Sequence, residues 1–279
     1  SIELNVKHAV PEWNGQVVDN ATMRIRGNTS RSRAKVSWKV ELPAGHLLDM
    51  APQMPYPLDE FAIQRNPDPL TDLGWNTVLG AGARSLTTFP VRSQRNGEFW
   101  SVGHIMETED GTWRDAQGVS DWAIYKGEGG GLRTASSPAA LEARMAAGCP
   151  LCMPEPWLNK KERKDEDYTD VWNLTQAIDA PPSAAQRAWM AENLNIPELV
   201  NYMAVNGVIR HQDSGWYNWF VARDTEGTGR WEMWHWDLDW IFSTPESDGE
   251  GEFLKPDNNR MASALMAYPD IEYMFYRRL

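Results

Sequence analysis

The sequence predicts an α+β fold in which a β-rich N-terminal half and a helical C-terminal half enclose a cleft. Two observations support this prediction. Apolar and charged residues alternate in residues 22–42, as in half-buried strands, whereas the segments after residue 137 begin with capping residues and have helical spacing. A chain of 279 residues, 42% of them hydrophobic, has room for one large domain or two lobes. We predict a β-rich lobe over residues 1–110 and a mainly helical lobe over 111–279.

The first strands are predicted from alternation. In "ATMRIRGNTS" the residues Met23 and Ile25 alternate with arginines, and "KVSWKVEL" shows the same period of two. Residues 43–74 are rich in Pro and Asp, and we expect them to form loops with at most a short helix.

A hairpin and a further strand complete the predicted N-terminal β structure. "FPVRSQRNGEFWSVGHIMET" contains two β-rich runs separated by Asn96-Gly97, a dipeptide typical of a tight turn. "WAIYK" is predicted to be a short strand that ends in "GEGGG", which we expect to be a loop.

Three helices are predicted in the second half. Ser137 caps the first, Ser183 caps the second, and Asn195 caps the third, which has Pro197 near its start. The charged run "NKKERKDEDY" is expected to be a solvated loop or surface. The third helix presents an apolar face formed by Val200, Met203, Ala204 and Val208.

Composition excludes two classes of partner. With a net charge of -12 and no cluster of Lys and Arg, the chain is not expected to bind nucleic acid. The sequence contains no run of about 18 apolar residues, so no membrane span is predicted. No secretory signal peptide is recognisable, which by itself says little about localisation. The 15 tryptophans serve either as core and surface anchors or as stacking platforms for a base or a sugar ring.

The two cysteines, Cys149 and Cys152, form a single C-x-x-C motif. One such motif is half a zinc site, and a redox role would require a βαβ context that the sequence does not show. A local disulfide in an oxidising compartment is a further alternative. We favour a structural role for the pair over a catalytic one.

The segment "HQDSGWYNWF", residues 211–220, has the spacing H-x-D-x-x-x-x-N of a kinase catalytic loop. Phosphoryl transfer requires a carboxylate that orients the attacking hydroxyl, and an Asn and a second Asp that hold Mg²⁺ against the phosphates. Asp213 and Asn218 are candidates for the first two of these roles.

A second pair of acids follows a predicted hairpin. Residues 219–235 have the pattern of two strands with a glycine-containing turn, and Asp237 and Asp239 come next. The order of helix, acid-and-Asn loop, hairpin and second acid is that of a protein kinase. The structural alternative remains open at this point: Asp213 could cap a turn, Asn218 could satisfy a loop carbonyl, and the other acids could flank a strand end.

These motifs give the chain a resemblance to the CotH kinase family, which is named for spore coat protein H. The resemblance covers residues from about 11 to 245. It rests on the segments "RIRGNTSRSRAKVSWKVEL", "RNGEFWSVGHIMETED" followed by "IYK", "HQDSGWYNWF" and "WEMWHWDLDWIFS".

The chain departs from the family pattern at two positions. His235 stands where the family usually has Pro, and Ser243 stands where Gly is usual. Neither change removes a group that the chemistry needs. Residues 246–279 offer little to match.

The resemblance implies a two-lobed atypical protein-kinase-like fold and an enzyme that uses ATP with Mg²⁺ or Mn²⁺. Its implied partners are the nucleotide and a protein substrate, secreted or on the cell surface or spore coat, that is phosphorylated on Ser or Thr. The protein itself would then be secreted or at the cell surface.

The resemblance also assigns residues. It implies that Asp213 is the catalytic acid or base, that Asn218 and Asp237 are metal ligands, and that Asp239 is an alternate ligand. Trp231 matches the aromatic residue that stacks on adenine, with a core anchor as the alternative.

The phosphate contacts are expected among basic residues of the first strands. A kinase-type Lys contacts the nucleotide phosphates, and we favour Lys39 over Lys35. Gly27 in "RGNTSR" would let the backbone approach a phosphate. Further candidates for the nucleotide pocket are Arg24, Arg26, Glu107 and Lys126, with surface ion pairing as the alternative for the last two.

Three functions are therefore weighed. The first is a metal-dependent protein kinase. The second is a non-catalytic adhesion or carbohydrate-binding module that uses exposed Trp residues, with the acids holding a structural Ca²⁺. The third is a kinase-like fold that transfers AMP. The acids favour the first or third, and the number of tryptophans by itself favours the second.

Overall fold

The computed structural model has a mixed α/β architecture with eight helices and three sheets within the residues it describes. Two compact units are formed, the first by residues 1–76 and 86–118, the second by 77–85 and 119–279. The family-based expectation of two lobes around a cleft, with a boundary at 110, stays a prediction. The structure describes residues 5–27, 36–64, 69–147, 156–242 and 259–279.

The first unit is built on a six-stranded sheet in the order β1-β4-β5-β6-β8-β7, in which every neighbouring pair is antiparallel. A two-stranded ribbon, β2-β3, lies between β1 and β4 in the sequence. The strands and helices are β1 Asn5–Ala9, β2 Glu12–Trp13, β3 Gln16–Val17, β4 Ala21–Arg26, β5 Ser37–Glu41, β6 Glu60–Gln64, α1 Pro69–Gly80, β7 Thr88–Arg95, β8 Glu98–Glu107 and α2 Gly111–Gln117.

The predicted hairpin is confirmed as β7 and β8. Asn96 and Gly97 both have positive φ, 53° and 80°, which is the backbone that a tight turn between twisted strands requires. The expectation of loops over 43–74 is wrong at β6, which occupies a central place in the sheet. Its short sequence "EFAIQ" gives little alternation, and its pairing with β5 and β8 supplies the stabilisation.

The core of the first unit lies on one face of this sheet. It consists of apolar side chains from alternate strand positions and from the loop before β6: Val18, Ala21, Val40, Leu48, Met50, Met54, Leu58, Phe61, Phe89 and Ile105. Burying such side chains stabilises the fold by roughly 1.5–3 kcal/mol each relative to exposure.

The second unit combines a four-stranded antiparallel sheet, in the order β10-β9-β11-β12, with six helices. Its elements are β9 Ala123–Gly129, α3 Pro138–Ala147, β10 Trp157–Lys160, α4 Thr169–Asp179, α5 Ala184–Asn193, α6 Ile196–Ile209, β11 Trp219–Arg223, β12 Trp231–His235, α7 Arg260–Met266 and α8 Pro269–Arg278.

The two faces of this sheet carry different residues. Tyr125, Val221 and Met233 point to one face and join helical residues such as Leu199 in the core of the unit. Lys126 and its cross-strand neighbours Phe220 and Trp234 belong to the opposite face, because side chains alternate along a strand. The helices of this unit therefore cover one face of the sheet.

Strand β9 is longer than predicted, because it continues through Gly129 into the expected loop. Gly127 lies beneath the indole of Trp219, which a β-carbon at that position would hit. The glycine is therefore used for close packing inside the strand.

Two of the three predicted helix caps are confirmed. The backbone N–H groups of Ala140 and Gln186 donate to the hydroxyls of Ser137 and Ser183, at 3.0 and 3.1 Å. Asn195 precedes α6 but makes no side-chain cap, and its amide donates instead to Glu232 at 3.1 Å. The predicted apolar face of α6 is wrong at Val208, which is 50% exposed.

Helices α2, α4, α7 and α8 were not predicted. Among the described residues, none of the helices is both long and apolar enough to cross a membrane. Lys35, Cys149, Cys152 and Ser243 lie outside the described residues.

Candidate functional site

Two loops of the second unit carry the predicted acids. The acid loop, residues 210–218, follows α6, and the DLD loop, residues 236–242, follows β12. Three backbone hydrogen bonds join them or their flanking residues: the N–H groups of Phe242, Gln212 and Trp236 donate to carbonyls at distances of 2.7, 3.1 and 3.1 Å. The accepting carbonyls are those of Ile209, Trp240 and Asn218, respectively. Residues 18 to 33 positions apart in the sequence are thereby held side by side.

Asp213 and Asn218 are in direct contact. The amide Nδ2 of Asn218 donates to Oδ2 of Asp213 at 3.1 Å. Asp213 is only 8% exposed, so this bond fixes the carboxylate in one orientation. Because the nitrogen of the amide faces Asp213, its Oδ1 is the atom that remains to bind a cation.

Two of the predicted metal ligands, Asn218 and Asp237, have an unusual backbone conformation. Asn218 has φ 63° and Asp237 has φ 52°. Arg210 and Phe242, at the outer ends of the two loops, are also left-handed, with φ 49° and 54°. Asn and Asp tolerate left-handed backbone, but it is costly for Arg210 and Phe242, where it persists because the surrounding structure enforces it, often at functional sites.

The surroundings of Tyr217 show that negative charge is concentrated at the site. Burial raises the pKa of its hydroxyl, and the Asp213 carboxylate raises it further, as a neighbouring charge and as a hydrogen-bond acceptor. Asp239 and Asp237 add to this shift as nearby negative charges. Three carboxylates are therefore gathered around one phenol, which the sequence motif does not reveal.

The DLD loop turns its two acids outward. Leu238, between them, is 1% exposed and anchors the loop. Asp237 is half-buried and Asp239 is exposed. Asp237 is thus the acid that is held more firmly, and Asp239 is the more open one.

Trp236 is a site residue that the sequence analysis missed. The ammonium of Lys126 lies 5.3 Å from the centre of its ring, and Phe220 meets it edge-on at 5.4 Å. Lys126 also pairs with Glu128 at 3.0 Å. The one available signal in the sequence was that Trp236 directly precedes Asp237.

Trp231 lies away from this face. It is 4% exposed, belongs to the core of the unit, and its ring centre is 6.2 Å from that of Tyr125. Trp231 and Trp236 are an odd number of positions apart, so their side chains point to opposite faces of the sheet. Trp231 therefore points away from the face that carries Lys126. This geometry favours the core-anchor alternative, and stacking on adenine stays a prediction.

The predicted phosphate contacts of the first unit already have partners. Lys39 forms ion pairs with Glu60 and with Glu41, the latter at 3.2 Å, and Arg24 pairs with Glu41 at 3.3 Å. Burial acts to raise the pKa of Glu41, but the two bases prevail and lower it. Arg26 lies on the same strand as Arg24, opposite Ser37.

Glu107 is buried in the first unit, at 1% exposed. Burial raises its pKa, whereas a hydrogen bond from Tyr56 and one from the Thr87 backbone N–H act to lower it. These contacts explain the burial of Glu107 by its structural role. A role in nucleotide binding stays a prediction.

The donor set fits a hard divalent cation. The described residues contain no group of three or more His, Cys, Asp or Glu side chains arranged as a metal site. Asp237 and Asn218 nevertheless offer a carboxylate and an amide oxygen, the ligand atoms that Mg²⁺ and Mn²⁺ prefer. Mg²⁺ at phosphate-transfer sites is commonly held by one or two protein groups, with water and phosphates completing its shell.

Comparison with known proteins identifies the family. No curated protein matches the chain. The family model described as CotH kinase protein matches residues 72–279. The match includes both site loops and residues 246–279, which the motifs did not cover, but begins after residues 24–42, which carry the first motif. Because it spans well over half of the sequence, the chain belongs to the CotH kinase protein family.

Proposed function

We propose that this protein transfers the γ-phosphoryl group of ATP to a Ser or Thr hydroxyl of a secreted or surface protein, with the help of Mg²⁺ or Mn²⁺. One observation carries the proposal. Asn218 donates to Asp213 through its side chain, while its backbone carbonyl accepts from Trp236, the residue before Asp237. The two acids and the amide to which the proposal assigns these roles are therefore close together, in a chain whose family is kinase-like, and this supports the proposal.

Asp213 is proposed to orient the acceptor hydroxyl and take its proton. Its carboxylate is buried and held by Asn218, so little reorganisation is needed when the hydroxyl arrives. Tyr217 donates to the same carboxylate and would limit its rotation.

Asn218 and Asp237 are proposed to hold the metal, with Asp239 as an additional ligand. When bound, the metal would neutralise charge on the phosphates. The left-handed backbone of Asn218 and Asp237 sets the direction in which their side chains leave the loops.

The nucleotide is proposed to lie against the sheet face that carries Lys126 and Trp236. Lys39, Lys35, Arg24 and Arg26 are proposed phosphate contacts. For Lys39 and Arg24 this role requires exchange, because a phosphate would have to replace Glu41 or Glu60 as their partner.

The adhesion alternative receives little support from the tryptophans. Of the 15, all within the described residues, Trp216 and Trp240 are the exposed ones, at 42% and 54%. The others contribute to cores or to half-buried packing. Their number is therefore explained mainly by structure.

The test is transfer of label to a panel of secreted proteins. ATP labelled on the γ-phosphate should label the acceptor in the presence of Mg²⁺ or Mn²⁺ and not after addition of a chelator. Labelling from α-labelled ATP instead would establish AMP transfer. Absence of both labels, together with no metal-dependent binding of ATP by calorimetry, would reject the proposal.

A further inference from the structure

A group of buried polar side chains lies next to the two loops. We call it the histidine cluster: Tyr202 and Asn206 on α6, His211 in the acid loop and His235 at the end of β12. The four residues are 3, 5, 4 and 1% exposed. The ring centre of His235 is 4.6 Å from that of Tyr202 and 6.5 Å from that of His211. The cluster is thus contiguous from the helix to both loops.

The polar atoms of this cluster lack good partners. Within the part of the chain that the structure describes, six buried side-chain atoms have no hydrogen bond of good geometry, although weaker ones link Tyr202 to Asn206 and His211 to the Asp237 backbone. Buried polar groups in native proteins almost always find a partner, because leaving one unmet is costly. The six atoms are Tyr202 Oη, Asn206 Oδ1, and Nδ1 and Nε2 of both His211 and His235.

Both imidazoles are surrounded by protein and shielded from solvent. Burial lowers the pKa of His211 to about 4, although the nearby Asp237 backbone acts to raise it. Burial, and then the proximity of His211, lower the pKa of His235. A neutral imidazole has one donor and one acceptor nitrogen, so each ring can bridge two neighbours.

The positions of the two histidines connect them to the site. His211 precedes Asp213 by two residues, and His235 precedes Asp237 by two. The His211 ring also lies near the backbone of Asp237, one of the left-handed residues. Any molecule that hydrogen-bonds both rings would link the acid loop to the DLD loop.

We propose that the histidine cluster binds internal water that hydrogen-bonds both imidazoles, and that His211 and His235 thereby act as positioning residues for Asp213 and Asp237. Water fits because it both donates and accepts, and because buried waters typically have two to four polar partners. A phenol, an amide oxygen and two imidazoles supply that number. The effect on catalysis rests on the proposed function, whereas the water site itself does not.

The first test does not depend on activity. His235→Leu removes the polar ring at similar volume, and His235→Gln keeps an amide that can hydrogen-bond. Hydrogen exchange is measured at the backbone N–H groups of Gln212, Trp236 and Phe242, which join the loops. We expect about tenfold faster exchange at these groups in His235→Leu, from loss of local stability. We expect unchanged exchange in α4 and α5, and partial recovery in His235→Gln.

Several outcomes would overturn the proposal. These are unchanged exchange at the three groups, an equal increase throughout the unit, or no difference between the Leu and Gln variants. Magnetisation transfer from water to the ring N–H protons should be seen in the wild type by NMR. A transition metal retained at one equivalent after dialysis against a chelator would replace water as the occupant.

The second test uses phosphoryl transfer. In His235→Leu we expect kcat to fall about tenfold or more, because misplacement of catalytic groups by about 1 Å can cost 10²-fold. KM for ATP should change less than kcat, and His235→Gln should recover part of the rate. A wild-type kcat in His235→Leu would contradict the positioning role. If the wild type transfers no phosphate, the proposed function fails while the exchange test still decides the water site.

Discussion

The charged residues of the six-stranded sheet and the polar residues of the two site loops are arranged in opposite ways. In the sheet, Lys39 and Arg24 are matched by carboxylates on their own and neighbouring strands. In the loops, four non-glycine residues hold left-handed backbone, and the histidine cluster has unmet polar atoms within the described chain. Ion pairing explains the first arrangement, whereas it does not explain the left-handed backbone of Arg210 and Phe242 or the buried imidazoles of the cluster. Function is therefore best sought first in the loops.

A large loss of turnover without loss of ATP binding is expected from Asp213→Asn. Loss of the proton acceptor should lower kcat by about 10²–10⁴-fold, the usual contribution of a general base. Metal-dependent binding of ATP should persist, because Asp213 is not assigned to the metal. Asp165→Asn, at an exposed position of the same unit, is the matched control. Wild-type turnover in Asp213→Asn would show that the loops do not contain the base.

Asp237→Asn should abolish transfer and also weaken binding. The amide carries no charge, so we expect metal-dependent affinity for ATP to fall by about tenfold or more, as for loss of a charge-assisted contact. Calorimetry with Mn²⁺ and with a chelator separates the metal-dependent part. If the affinity measured with Mn²⁺ is that of the wild type, Asp237 does not hold the metal.

A pair of tryptophans tests the two faces of the second sheet. Trp231→Leu should lower the free energy of unfolding by about 3 kcal/mol, as large-to-small changes in cores do, without altering ATP affinity in the folded protein. Trp236→Leu should lower ATP affinity severalfold with a smaller effect on stability. Chemical denaturation and calorimetry measure both quantities. The reverse pattern would return the stacking role to Trp231.

Lys39→Met tests whether the sheet takes part in binding. If Lys39 exchanges a carboxylate for a phosphate, ATP affinity should fall about tenfold, since a hydrogen bond to a charged group is worth roughly 1.5–3 kcal/mol. Lys164→Met, at an exposed position, is the control. Unchanged affinity would mean that the ion pairs of the sheet are purely structural, which would sharpen the contrast with the loops.

The smallest effect is expected from Glu107→Gln in the first unit. Burial raises the pKa of Glu107 above its ordinary value of 4.5, so the folded state binds its proton more tightly than the unfolded state does. Stability from this group is present below the unfolded pKa and is lost as pH rises through the folded one. Glu107→Gln should therefore be more stable than the wild type at pH 7, with the difference shrinking toward pH 4. A variant that is less stable at pH 7 would contradict this.

The sequence was sufficient where a local rule determines structure. The turn at Asn96-Gly97 and the serine caps of α3 and α5 were predicted, because the residues themselves supply the backbone or the hydrogen bond. The spacing of Asp213 and Asn218 placed both in one loop, but their direct hydrogen bond was not predicted.

The sequence was insufficient where distant residues decide the outcome. Strand β6 depends on pairing with β5 and β8, and the packing role of Gly127 depends on Trp219. Trp236 could not be distinguished from the other tryptophans, because its contact with Lys126 joins β9 to the residue after β12, two strands that are separated by β11 in the sheet. Tyr217 was missed for a similar reason, since its surroundings include acids from both loops.

The hydrogen bonds between the two loops have a consequence for folding. They join Ile209 to Phe242 and Gln212 to Trp240, so they form only after the β11–β12 hairpin has folded back against the end of α6. Contacts between residues about 30 positions apart carry a larger entropic cost of loop closure than contacts within a helix, so they tend to form after the helix does. Recovery of activity during refolding should consequently lag behind recovery of helical circular dichroism. Enzymatic turnover would then serve as a reporter of the final folding step.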